Sequence, residues 1–280
     1  VRLRGGASFH WSEPVWTAML THFLNSMLRG SCFEVICGSF VFHASVFLVQ
    51  HYRPNSSLQV ACRHTSITHH AIAMVLGMYC TWLYWDSLCV DAALGLDQSK
   101  RFPVASWLNN FNIGYFLYDM IHALTWERFW IPHHAIAIAG FATSEYSDVF
   151  ALANAVNVWI TEIGSLMYNV YLAFKSVRNY CCFVGFYTGS RLAFAVWSVE
   201  VVRQVWTDPG TSSYPAWAPC CAISLQVLLL GANIHFLGIH VAKLAKVLKD
   251  SSARATIEEQ PETKEEQSFK LLRNPCHMPS

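Results

Sequence analysis

Seven stretches of this chain are each about long and apolar enough to cross the hydrocarbon core of a lipid bilayer, and nothing else in the sequence restricts the fold so tightly. A span needs roughly 20 mostly apolar residues, because that core is about 30 Å thick and a helix rises about 1.5 Å per residue. The stretches run from Ser31 to Gln50, Ile67 to Trp85, Val104 to Trp126, Phe129 to Ser144, Val149 to Phe174, Tyr180 to Val205 and Trp217 to Val241. The expected fold is therefore all-α, a polytopic transmembrane helical bundle of about seven spans. The fourth stretch is short and meets the fifth through Ser144-Glu145-Tyr146-Ser147-Asp148, which also sets acidic residues at the start of the fifth helix. These two are expected to form a tight helical hairpin.

The segments between these stretches carry breakers, among them Arg53-Pro54-Asn55, Asp208-Pro209-Gly210 and Pro132. Tryptophans such as Trp82, Trp85, Trp107, Trp126, Trp130, Trp206 and Trp217 gather at the proposed ends, as interfacial belts do. Only 13% of residues are charged, against about 25% in soluble domains, and the net charge of +1 provides no basic field for nucleic acid. After Val241 the composition changes: Lys243, Lys246 and Lys249 follow the last stretch, and residues 250–280 are expected to be a disordered cytosolic tail. Three regions result, an N-terminal segment 1–30, a membrane domain 31–249 and the tail. The first residue is Val1 and no cleavable signal peptide is recognisable, so we expect residues to precede Val1 and insertion to start from an internal segment. Arg53, Arg63, Arg128, Lys175, Arg178 and the late lysines outweigh Lys100 and Arg101 opposite, which predicts a cytosolic C-terminus. Arg2, Arg4 and Arg29 argue the other way. The ten cysteines include no C-x-x-C pair, so neither a disulfide framework nor a zinc site is expected.

Ionisable side chains at bilayer depth are costly and usually face a bundle interior. Here they are Glu34, Asp119, Glu162, Arg191 and Glu200, joined by histidines. Asn112, Tyr115, Asp119 and His122 are spaced by three, four and three residues and so share one helical face. Asn154, Asn157, Thr161, Ser165 and Tyr168 form a second such stripe with Glu162 at its edge, and Thr188, Arg191 and Ser198 form a third. Inward stripes on several helices predict an enclosed polar cavity, to which His133 and His134 contribute near the start of the fourth span. An arginine in lipid needs a partner, so Arg191 is expected to pair with Asp119 or Glu162. The competing view is a network that only fixes helix register. His133 and His134 suit acid–base work or structure better than metal binding, since neighbouring residues on a helix diverge by about 100°. His69, His70, Glu34, Glu200 and His235 are expected to pack or to lie at an interface.

At these residues the sequence resembles the TLC-domain family, which includes ceramide synthases, translocon-associated membrane proteins and smaller lipid-homeostasis proteins. The resemblance rests, in order, on Thr68-His69, Gly114-Tyr115-Phe116-Leu117-Tyr118-Asp119, His133-His134, Thr161-Glu162-Ile163-Gly164-Ser165 and Gly189-Ser190-Arg191. It covers about Ser31 to Lys249. A lone Glu162 stands where ceramide synthases carry paired aspartates, so the likeness is to the smaller proteins. It implies a multi-pass protein of the endoplasmic reticulum or another endomembrane that binds a lipid, whether sphingolipid, fatty-acyl or phospholipid, and influences membrane lipid composition. The cavity residues would be Tyr115, Asp119, His122, Thr161, Glu162, Ser165 and Arg191, with no cofactor and no metal. One alternative is a lipid-modifying acyltransferase or hydrolase with His133 or His134 as general base and Asp119 orienting it. Another is a transporter or scaffold.

Overall fold

The computed structural model describes residues 32–54, 56–89, 97–207 and 217–258; the N-terminal segment and most of the expected tail lie outside them. Among the described residues there is no strand. The helices are α1 (Cys32–His51), α2 (Leu58–Leu83), α3 (Trp85–Cys89), α4 (Gln98–Arg101), α5 (Pro103–Thr125), a 3-10 turn (Arg128–Trp130), α6 (Ile131–Ser147), α7 (Ala151–Ala173), α8 (Val177–Thr207) and α9 (Trp217–Glu258). Each of the seven apolar stretches thus falls on a long helix. Two of these, Cys32–His51 and Trp217–Lys249, are by composition and length apolar enough to cross a membrane.

Local chemistry sets the boundaries. Ser57 caps α2 by accepting a hydrogen bond from Val60 N at 3.3 Å, and α5 and α6 each carry a proline in their first two positions, where the missing N–H costs nothing. Asp148 ends α6 in the left-handed region, at φ 55°. Chain division falls late: one compact unit ends at Gly238, and a second begins at Ile239. The last helix continues through Glu258, past the point where the tail was expected to begin, because Ala253, Arg254, Ala255 and Glu258 are good helix formers.

Within the first unit α2 packs chiefly on α7, α7 on α8, α1 on α5 and α2, and α5 on α6. Leu108, Phe111, Tyr115, Leu152, Phe183 and Phe194 are fully buried between them. Two close approaches depend on glycine. A Cβ on Gly114 would fall 2.6 Å from Ser39 Cβ of α1, and one on Gly164 would fall 2.6 Å from Ser190 Oγ and 3.1 Å from Tyr187 Cα of α8.

The turn between α6 and α7 is short, yet α6 packs mainly on α5 instead of closing as a tight hairpin on α7. Polar side chains explain this. Glu145 of α6 accepts hydrogen bonds from Ser106 Oγ at 2.7 Å, Asn110 Nδ2 at 2.8 Å and Asn109 Nδ2 at 3.0 Å, all on α5. Asp148 accepts from Ser99 N at 2.6 Å and Ser99 Oγ at 3.0 Å. Gln98, fully buried, accepts from Leu152 N at 3.1 Å and donates its own N–H to Asp148 O at 3.1 Å. One end of the bundle is thereby tied together by polar contacts.

Candidate functional site

Towards the other end, α2, α5, α6, α7, α8 and α9 enclose a chamber of about 610 Å³. Its inner wall carries His70, Tyr115, Asp119, His133, His134, Glu162 and Arg191, while Arg63, Trp126, Glu127 and Trp130 line it near the helix ends. A narrower slot of about 110 Å³ runs from Phe116, His133, Glu162 and Arg191 to Phe150, Val201 and Val205, walled mainly by apolar side chains. The two cavities share the residues at which they meet.

Two carboxylate–imidazole pairs form the polar wall. His134 Nε2 donates to Asp119 Oδ2 at 3.0 Å, and Tyr115 Oη, 3.2 Å from Ser66 Oγ, also lies 3.3 Å from that carboxylate oxygen. His70 Nδ1 pairs with Glu162 Oε2, joining α2 to α7. An ionised carboxylate only accepts, so in each pair the ring nitrogen that faces it carries the proton and the other nitrogen keeps its lone pair. In His134 that second atom, Nδ1, is buried without a hydrogen-bond partner. His70 and His133 also line the chamber, and His133 lines the slot as well.

Arg191 departs from expectation. It is 6% exposed, and among the described residues no carboxylate lies within ion-pair distance, 4.0 Å, of its guanidinium. Nη1 instead donates to Thr161 O at 2.9 Å and lies 3.4 Å from Ser190 Oγ, the guanidinium stands 4.2 Å from the Tyr187 ring centre, and Nε has no partner. The two acids that could neutralise it face histidines instead, Asp119 facing His134 and Glu162 facing His70.

Other expected residues fall in and around this wall. His122 lines the chamber but stands 3.4 Å from Cys62 Sγ, not against Asp119. The Thr161 and Ser165 hydroxyls bond back to their own helix, at Asn157 O and Thr161 O, so Thr161 contributes its carbonyl instead of its side chain. Glu200 sits away from the cavities and pairs with Arg203 at 2.6 Å. Glu34 and His235 are exposed, although His235 borders the chamber.

His70 is the site residue that spacing did not single out. Its partner lies 92 positions away, and the only local signal was the doubled His69-His70 beside the small residues Ser66 and Ala73. His69 itself is fully buried, stacked on Tyr115 with ring centres 3.5 Å apart, and neither of its nitrogens has a hydrogen-bond partner. Donor atoms of His69, His70 and Glu162 lie within 4.8 Å of one another, which makes them the described residues best placed to hold a metal ion. Glu162 already serves His70, and His69 does not reach the chamber. No family model, no curated protein and no solved structure matches the chain.

Proposed function

We propose that this chain is a multi-pass membrane protein of the TLC-domain type that binds a lipid in the chamber and so influences membrane lipid composition. The observation that carries this reading is a 610 Å³ cavity with a buried polar wall that shares His133, Glu162 and Arg191 with a mainly apolar slot, the combination an amphipathic ligand requires.

Membrane insertion by about seven spans is supported by the outer faces of helices whose inner faces are polar. Val75, Met78 and Trp82 on α2, Leu117, Ile121 and Leu124 on α5, and Leu192, Val196 and Val199 on α8 are all at least 40% exposed. Contiguous apolar surface of this kind suits lipid and not water. The inward stripes lower the mean hydropathy of these helices, which is why composition singles out only α1 and α9. Arg53, Arg128, Lys175 and Arg178 adjoin the chamber end, which argues for that end facing the cytosol. An endomembrane location rests on the family resemblance.

A second reading, a lipid acyltransferase or hydrolase, draws on the two carboxylate–imidazole pairs. Asp119 and Glu162 hold His134 and His70 in fixed tautomers, and an imidazole so held can act as a general base, with His133 beside it. One experiment addresses both readings. Protein purified in mild detergent and analysed by lipid mass spectrometry should retain a lipid class enriched well above its share of the membrane. Recovery of bulk phospholipid in bulk proportions would overturn binding. Enrichment of a cleaved or acylated species that disappears in His70→Gln would favour the enzyme.

A further inference from the structure

We infer that the ligand carries an oxyanion, carboxylate or phosphate, that docks on Arg191, with its hydrocarbon chain lying in the slot beyond. This rests on the lipid-binding reading and specifies the ligand.

Arg191 keeps its charge under all accessible conditions, and a buried charge in a bilayer is retained only when something compensates it. The described fold does not supply an ion-pair partner: Asp119 is taken by His134, Glu162 by His70, and the guanidinium spends one nitrogen on a backbone carbonyl and a hydroxyl. Its Nε is buried with no acceptor, although the residue lines both cavities at their junction. Had the cation served only to tie α7 to α8, a full set of acceptors would be expected around it. A planar guanidinium with an unused edge is the group best suited to a carboxylate or phosphate.

The position of the slot specifies the rest of the ligand. From Arg191 to Val205 it follows α8 for about 21 Å, at a rise of about 1.5 Å per residue. Phe141, Val158, Phe194 and Leu229 wall it, so a chain extending from an oxyanion at Arg191 would meet apolar side chains along its length. A larger headgroup would lie on the opposite side, in the chamber.

The test uses the full chain in mild detergent, titrated with hexadecanoate, hexadecyl phosphate, hexadecanol and inorganic phosphate. Either charged amphiphile should bind at least tenfold more tightly than hexadecanol, and Arg191→Gln should abolish that difference while Arg191→Lys keeps part of it. Acid against alcohol on the unaltered chain remains decisive even if Arg191→Gln fails to fold. Equal binding of acid and alcohol would overturn the inference and leave lipid binding standing, whereas no binding of any chained probe would remove both. Tight binding of inorganic phosphate alone, with no gain from a chain, would overturn the role of the slot.

Discussion

Deleting the His70 side chain would strand Glu162, a buried acid, without the imidazole that holds it, whereas deleting the Arg191 side chain would take a donor from two groups that keep other partners, Thr161 O with Ser165 Oγ and Ser190 Oγ with Tyr187 O. The first loss leaves a buried carboxylate oxygen without its hydrogen-bond donor, for which about 3 kcal/mol or more is typical of a charged group. The second forfeits a hydrogen bond from a charged donor, about 1.5 kcal/mol or somewhat more. Unfolding in detergent should therefore rank His70→Ala below Arg191→Ala in stability, and the reverse order would refute the assigned pairs. Helical spacing disclosed which residues share a face: Tyr115 and Asp119 do meet, and His134 joins them. It could not disclose which face meets which, so spacing alone assigns Arg191 to an acid and His70 to packing. Both depend on contacts between α2, α7 and α8 that no local pattern encodes.

At the scale of helices, two motif fragments owe their glycines to packing and not to chemistry. Gly114 lets α5 approach α1, and Gly164 lets α7 approach α8 beside Ser190 and Tyr187, the residues that flank Arg191. Gly164→Ala would press a methyl group against Tyr187 backbone, and overpacking of this kind costs about 1–3 kcal/mol. We expect that variant to lose thermal stability in detergent, while Gly185→Ala, whose Cβ would meet nothing within 4 Å, should not. Equal behaviour of the two would contradict the close approach of α7 and α8. The long helices were legible because each apolar run is long enough to fill most of a helix. The short α3 and α4 were not, since a four- or five-residue helix such as Gln98–Arg101 owes its shape to tertiary partners like Asp148.

For the whole molecule, the proposed seven-span arrangement puts Lys100 and Lys175 on opposite sides of a bilayer, since α7 begins beside Gln98 and ends just before Lys175. Cysteines placed at these two positions, in a background cleared of native cysteines, should react with a membrane-impermeant maleimide from opposite faces of sealed vesicles. Labelling of both from one face would dismiss the seven-span arrangement. The pattern of apolar stretches was sufficient to anticipate the long helices of the bundle. It could not anticipate the chamber, which is lined by residues from six helices.

That asymmetry has a bearing on traffic. Glu145 with its three donors, together with Gln98 and Asp148, ties the far end together with polar contacts that would not part cheaply in a bilayer, where water is scarce. On the proposed function, a lipid in the chamber would come and go past Trp126 and Trp130, at the end opposite those contacts. Exchange of this kind would resemble loading and emptying a vessel, not flow through a conduit.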